Sequence, residues 1–219
     1  GEYTVTYNVS DSSGNPAVPV TRTVYVISGE YLASKGVNRP KLAPGMTAIK
    51  WDGSNWEHIV DPENDLSWYS YTTTDKMWAN ARTADGSFWV WIPRFIYKIS
   101  SGWHTSTAGT IEVQFSMVTD DTRGGTVTVD TGTTAEASNN KWTNHPAFTF
   151  GDTELTGIWV AKFEASNNSG NIKVIPGVSS WREITVNNIF TNCRNMETNS
   201  VYGWGTSGTG IDTHMMKNV

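Results

Sequence analysis

The chain has 219 residues, of which 17% are charged and 12% aromatic, with a formal net charge of −5 and one cysteine. The acidic balance, without a Lys/Arg cluster, argues against nonspecific nucleic-acid binding, which needs clustered positive charge. One cysteine excludes an intramolecular disulfide framework and a cysteine-based zinc site. The longest apolar runs are too short to span a bilayer, so we expect neither a nucleic-acid partner nor membrane insertion.

The first predicted element is a β-hairpin. Apolar and polar residues alternate over Tyr3–Val9 and over Val20–Val26, with turn-forming residues between them. An isolated hairpin is marginally stable in water, so further strands are needed to complete a domain. The stretches Gly1–Asn15 and Thr21–Val24 resemble the last two strands of a bacterial immunoglobulin-like (Ig-like) surface repeat. The resemblance implies that residues 1–29 are the C-terminal strands of an Ig-like domain whose first half is missing.

A second predicted domain covers residues 30–219, where the composition changes and tryptophans become frequent. The segment Phe88–Ile99 has the residue pattern of a strand. Pro93 lacks an amide hydrogen, and a proline within a strand is confined to an edge or a bulge of the sheet. We therefore predict a bend at Pro93. Alternating residues over Thr110–Val118 predict the second strand of a hairpin, with Ser100–Gly109 as its loop.

Further along the chain, residues Asp120–Lys141 are polar and predict a mobile excursion or an exposed ribbon, and Gly157–Ala165 predicts a strand. Ser180 and Glu183 have the spacing of a capping box and predict the start of a helix. The apolar residues that follow share one helical face: Val186, Ile189 or Phe190, Cys193 and Met196. This places Cys193, which we interpret as a small buried hydrophobe rather than a nucleophile, on the buried stripe.

No pattern in the chain predicts a catalytic residue, a metal site or a cofactor. The histidines are scattered and no nucleophile motif accompanies them: His58, His104, His145 and His214. His145 precedes a proline between loop and strand, which favours a hydrogen-bonded structural role. An oxygen-rich loop offers calcium-type ligands, although its spacing differs from an EF-hand and solvated turn residues are the preferred interpretation: Asp61, Glu63, Asn64 and Asp65.

Several aromatic residues lie beside Gly, Ser, Asn and Asp, which is typical of loops. Exposed loop aromatics often form the stacking surfaces of binding sites. The alternative for any one tryptophan is core packing, since large apolar residues are mostly buried. The candidate ligand-binding residues are Trp56, Trp68, Tyr69, Tyr71, Trp103 and Trp204.

Four motifs follow one another in the order seen in a known fold: Trp89–Phe95, His145–Phe148, Gly157–Ser166 and Pro176–Trp181. In this order they resemble the opening half of the formylglycine-generating-enzyme-like, C-type-lectin-type fold. Three further stretches are similar to surface, pilin-associated and tail proteins of Firmicutes and their phages: Leu42–Met46, Trp78–Ala81 and Thr213–Asn218. The resemblance implies a β-rich α+β fold, with a partial Ig-like β-sandwich hairpin followed by a C-type-lectin-like head that has irregular Trp-rich loops and one clear helix, truncated at its C-terminus.

The resemblance implies a phage tail protein or bacterial adhesin: a receptor-binding, non-enzymatic protein of the cell surface or virion that recognises a glycan or protein. The alternative is a structural subunit of a pilus, phage tail or capsid, with neighbouring subunits as partners. A third interpretation is a formylglycine-generating-type enzyme, whose branch uses two late cysteines. Because Cys193 is the only cysteine, we expect no enzymatic activity.

Overall fold

The computed structural model of the chain describes residues 2–8, 10, 12–16, 18–25, 39–62, 65, 67–71, 76–103, 105–115, 122–123, 127–128, 142–204 and 210–216. Its strands are β1 Glu2–Tyr7, β2 Val20–Tyr25, β3 Thr47–Trp51, β4 Trp56–His58, β5 Ser70–Tyr71, β6 Lys76–Met77, β7 Asn80–Arg82, β8 Phe88–Pro93, β9 Phe95–Ser101, β10 Thr110–Phe115, β11 Thr122–Arg123, β12 Val127–Thr128, β13 Thr143–Asn144, β14 Thr149–Phe150, β15 Thr153–Glu154, β16 Gly157–Ala161, β17 Ser166–Asn168 and β18 Asn171–Lys173. The helix α1 spans Val186–Asn195, and 3-10 turns cover Pro146–Phe148, Met196–Thr198 and Ser200–Tyr202. The described part of the chain is therefore β-rich with one α-helix.

The predicted N-terminal hairpin is confirmed. Strands β1 and β2 pair antiparallel from Glu2 opposite Tyr25 to Tyr7 opposite Val20. They form a two-stranded sheet that pairs with no other described strand. The predicted domain boundary near residue 29 lies outside the described residues.

A five-stranded antiparallel sheet organises the rest of the molecule, with strand order β16-β8-β7-β3-β4. Side chains alternate between the two faces of a sheet, so Trp89 and Trp91, two residues apart in β8, lie on the same face. Trp159 of β16 is directly opposite Trp91, and their rings are 5.3 Å apart. This is the inner face, since Trp91 belongs to a buried cluster that contains Ala48 of β3 and Ala79, the residue directly before β7.

Two hydrophobic clusters hold the structure together. The first lies on the inner face of the five-stranded sheet and contains Ala48, Ile59, Trp68, Tyr69, Ala79 and Trp91. The second contains Ile172, Val174, Met196, Tyr202 and Trp204. Trp89 packs against the second cluster, so adjacent inner-face tryptophans of β8 connect the two. The central strand therefore links both parts of the core.

The predicted bend at Pro93 is confirmed. Strand β8 ends at Pro93, and β9 begins two residues later in a different sheet, of order β10-β9-β13. Pro93 pairs with Gly157 of β16 but lies beyond the end of β7, so its missing amide hydrogen breaks no ladder. Between the strands, the Arg94 side chain is fully buried and forms an ion pair with Glu154. The predicted hairpin is also present, as β9 paired with β10.

The predicted start of the helix is wrong. Helix α1 begins at Val186, and its N-cap is Thr185, whose hydroxyl accepts a hydrogen bond from the Asn188 amide at 3.3 Å. Glu183 has a φ of +57°, a left-handed conformation that no residue inside an α-helix adopts, so Ser180 and Glu183 form no capping box. Cys193 is half-buried rather than fully buried, and it packs against the second cluster.

Some sequence predictions fall largely outside the described residues. Within Asp120–Lys141 the structure describes only the paired strands β11 and β12. In the oxygen-rich loop, Glu63 and Asn64 lie outside the described part, while the Asp65 amide donates to the Asp61 carbonyl oxygen at 2.9 Å. Among the described residues, no helix has the length and hydropathy of a membrane span.

Candidate functional site: an aromatic cluster with two cations

The candidate site begins at the hairpin of β3 and β4. Trp51 ends β3 and Trp56 begins β4, directly opposite, with ring centroids 5.4 Å apart. The turn between them is fixed by Asp52, whose carboxylate accepts hydrogen bonds from the backbone amides of Ser54 and Asn55, each at 2.6 Å. These bonds lower the pKa of Asp52. The hairpin therefore holds the two indole rings in a defined arrangement.

The aromatic surface extends from the hairpin into the sheet. Trp56 also contacts Phe88 of β8, with ring centroids 5.3 Å apart. The strand register places all three rings on the outer face, opposite the face that carries Trp91. Exposure rises outward along this row, since Phe88 is 6% exposed, Trp56 is half-buried and Trp51 is 52% exposed. The row of rings is therefore buried at Phe88 and exposed to solvent at Trp51.

Two cations stand over these rings. The ammonium nitrogen of Lys162 lies 5.2 Å from the centroid of Trp56, and the guanidinium carbon of Arg82 lies 4.8 Å from the centroid of Phe88. Both distances are in the range of cation–π contacts. We call Trp51, Trp56, Asn80, Arg82, Phe88 and Lys162 the aromatic cluster.

Lys162 is held in place by two neighbouring strands. Its backbone amide donates to the Phe88 carbonyl oxygen at 3.1 Å, and its ammonium group donates to Oδ1 of Asn80 at 2.7 Å. The Asn80 amide nitrogen donates to the Trp78 carbonyl oxygen at 2.8 Å, which turns Oδ1 toward Lys162. Partial burial lowers the pKa of Lys162, because desolvation disfavours its charged form.

The cluster has the chemistry of a binding surface. It offers aromatic faces, an ammonium group with three donors, a guanidinium group and an amide. None of the ion pairs in the described residues involves Arg82 or Lys162. The aromatic faces can pack against a ligand, and the charged and amide groups can hydrogen-bond to it.

Three of the six residues predicted from the sequence are buried, so their expected exposure on loops is wrong. Trp68 and Tyr69 belong to the first core cluster, and Trp204 belongs to the second. The indole N–H of Trp68 donates to the Asn80 carbonyl oxygen at 2.9 Å, and that of Trp204 donates to the Met196 carbonyl oxygen at 2.7 Å. Each buried indole thus has its polar group satisfied by the backbone, which makes burial favourable.

The other three predicted residues are dispersed. Trp56 is in the aromatic cluster. Trp103 is 38% exposed in the turn between β9 and β10, in a different sheet. Tyr71 lies in β5, and its side chain is outside the described part of the structure. Of the five whose side chains the structure describes, only Trp56 therefore contributes to the cluster.

The remaining members of the cluster were not predicted from the sequence as ligand-binding residues: Trp51, Asn80, Arg82, Phe88 and Lys162. Trp51 and Trp56 flank the turn-forming run Asp-Gly-Ser-Asn, and this hairpin signal was available in the sequence. The predicted strand Gly157–Ala165 places Lys162 within it. Strand β16 instead ends at Ala161, and Lys162 turns toward Asn80.

His145, another residue considered as a candidate, has a structural role. Nδ1 of His145 accepts a hydrogen bond from the Ala147 amide at 3.2 Å and caps a 3-10 turn, the kind of structural role that the sequence favoured. Burial lowers its pKa. A cavity of about 410 Å³ is lined by residues that include Lys41 and Trp68. No group of three or more His, Cys, Asp or Glu residues within the described ranges is arranged to hold a metal ion.

Comparison with protein-family models, curated proteins and solved structures finds no match to this chain in any of the three.

Proposed function

We propose that the chain is a non-enzymatic recognition protein, displayed outside the cell or on a virion, that binds a cell-surface glycan or protein through the aromatic cluster. The observation that carries the proposal is the half-exposed indole of Trp51, held against Trp56 in a hairpin with a fixed turn. A pre-positioned ring loses little conformational entropy on binding.

A glycan is the preferred ligand. The apolar face of a sugar ring can pack against an indole, while Asn80, Lys162 and Arg82 supply polar groups for its hydroxyls. A few polar groups beside an apolar surface are the usual composition of a specific small-ligand site. The motif resemblances support the same proposal, with an Ig-like stalk in residues 1–29 and a C-type-lectin-like head in residues 30–219, as in adhesins and phage tail proteins of Firmicutes.

Glycan-array and whole-cell binding assays test the proposal. We expect Trp51→Ala to weaken binding by about tenfold or more, the loss typical of an aromatic hot spot. Trp103→Ala is the matched control, because Trp103 is an exposed tryptophan of a different sheet, and it should bind like the wild type. Blank results in both assays, or equal loss in the two variants, would contradict the proposal.

A specific observation also favours the alternative, a structural subunit of a pilus, phage tail or capsid. Ile111 and Val113 lie on the same face of β10 and are 62% and 54% exposed. Among the described strands, β10 lies at one edge of its sheet. Exposed apolar residues of this kind often mark contacts between subunits. Concentration-dependent assembly in sedimentation experiments, abolished by Ile111→Lys with Val113→Lys, would support this function over recognition.

A further inference from the structure

We propose that the aromatic cluster is selective for carboxylate-bearing sugars, with Lys162 and Arg82 binding the carboxylate while Trp51 and Trp56 contact the sugar ring. This inference rests on the proposed function and specifies its ligand class. The observation behind it is the local charge of the cluster. Although the chain has a net charge of −5, two cations lie over adjoining aromatic rings of one surface.

The ammonium group of Lys162 has room for a further hydrogen-bond acceptor. Its hydrogen-bond partner is a neutral amide oxygen, that of Asn80, and its other neighbour is the ring of Trp56. An ammonium group has three donors, so this arrangement leaves donor capacity for a ligand oxygen. Partial burial also makes the charge costly, and an incoming carboxylate would compensate that cost.

The nearby acidic side chains of the hairpin, Asp52 and Glu57, do not neutralise the two cations. Asp52 directs its carboxylate to the amides of its own turn. Glu57 is opposite Lys50, and strand alternation places it on the inner face, away from Trp56. Lys162 and Arg82 take part in none of the ion pairs among the described residues. Among the described residues, the two cations therefore have no ion-pair partner and lie beside the partly exposed rings of Trp51 and Trp56.

The hydrogen-bonding groups of the cluster suit a carboxylate-bearing sugar better than a neutral sugar. Hydroxyl groups need donors and acceptors, and an amide such as Asn80 supplies both. A cation only donates, and its hydrogen bonds to a carboxylate are roughly twice as strong as those between neutral groups. Two cations over the rings therefore favour a ligand that carries negative charge.

The test compares acidic oligosaccharides with their carboxyl-reduced forms, in which only the carboxylate is replaced. Oligosaccharides containing galacturonate, glucuronate or N-acetylneuraminate would be titrated into the full chain by calorimetry. We expect at least one acidic form to bind about tenfold or more tightly than its reduced form. The preference should decrease as salt is added, since the ammonium and guanidinium groups are partly exposed.

Lys162→Gln should weaken binding of the acidic form much more than binding of the reduced form, because it removes the charged donor while glutamine can still bond to Asn80. Lys98→Gln is the matched control, as Lys98 stands 5.1 Å from the ring of Trp142 in another sheet. Thermal melts of both variants would verify that they fold.

The outcomes separate the two proposals. Equal binding of the acidic and reduced forms, with both lost in Trp51→Ala, would overturn the inference and leave the proposed function standing. Failure of every acidic and reduced probe would overturn the inference, while the glycan array and whole-cell assays decide the proposed function. Retention of the preference in Lys162→Gln would also overturn the inference, since the carboxylate would then be recognised elsewhere.

Discussion

Replacing Gly157 by alanine should destabilise the protein, because β16 packs closely against Trp91. A Cβ atom at position 157 would overlap Cε2 and Cζ2 of Trp91 and lie 2.7 Å from the Ile92 carbonyl oxygen. The indole of Trp91 is buried and packs against Trp159 at 5.3 Å, so it cannot move aside without disturbing the first core cluster. The constraint is steric, since Gly157 is not among the residues with positive φ.

Two opposing effects set the magnitude of this change. Overpacking a well-packed core costs about 1–3 kcal/mol. Because the backbone at Gly157 suits any residue, alanine also restricts the unfolded chain and restores about 0.4–1 kcal/mol. Because the Cβ atom would overlap the buried indole of Trp91, the overpacking cost should lie in the upper part of this range, at about 2–3 kcal/mol. The net loss should therefore be about 1–2.6 kcal/mol, or a decrease in Tm of roughly 2–10 °C for a domain of this size.

Urea titration followed by tryptophan fluorescence measures this loss, and a double-mutant cycle with Trp91→Phe tests its cause. If the indole is the obstacle, Gly157→Ala should cost at least about 0.5 kcal/mol less in the Trp91→Phe background. A Gly157→Ala variant as stable as the wild type would refute the steric argument. Strict additivity in the cycle would locate the clash elsewhere, at the Ile92 carbonyl.

Two further predictions concern buried polar groups. Tyr202→Phe removes a hydrogen bond from the hydroxyl to the Ile172 carbonyl oxygen at 2.8 Å and should cost about 1–2 kcal/mol in chemical denaturation. Burial raises the pKa of Tyr202 to about 12 from its ordinary 10.0, so the unfolded state releases this proton first. The stability of the wild type should therefore fall as the pH rises through this interval, less steeply in Tyr202→Phe, and equal slopes would contradict the assignment. For His145, burial lowers the pKa from 6.5, so the unfolded state binds the proton first. Stability should thus fall as the pH falls below about 6.5, and His145→Asn, which keeps a cap acceptor, should flatten this dependence in thermal melts at several pH values.

Local patterns predicted the local parts of the fold. The alternation over Tyr3–Val9 and Thr110–Val118 identified strands because side-chain period depends only on neighbours along the chain. The bend at Pro93 was also predictable from a local property, because a proline changes the hydrogen bonding at its own position. The start of helix α1 was wrong because Ser180 and Thr185 both precede helix-compatible residues, and the backbone at Glu183 decides between them.

The candidate site was only partly predictable, because most of its contacts join residues distant in sequence. Lys162 meets Asn80 across 82 positions, and no local pattern reports such a contact. The polar neighbours of Trp68 and Trp204 suggested loops, and both residues do lie outside the strands and helix α1. Their burial depends on backbone carbonyl groups from other parts of the chain. Only the pairing of Trp51 with Trp56 could have been inferred, from the turn between them.

Hairpin stability alone is a simpler explanation for the two tryptophans of the hairpin, but it does not explain the position of Lys162. A cross-strand aromatic pair stabilises an antiparallel hairpin by about 0.2–1 kcal/mol, and this alone accounts for Trp51 and Trp56. It does not account for Lys162, whose partial burial lowers its pKa and therefore opposes its charged form. A lysine selected for stability alone would keep its ammonium group in water, as long charged side chains usually do. Holding it instead over an aromatic ring, with Asn80 to orient it, favours a binding role for the cluster.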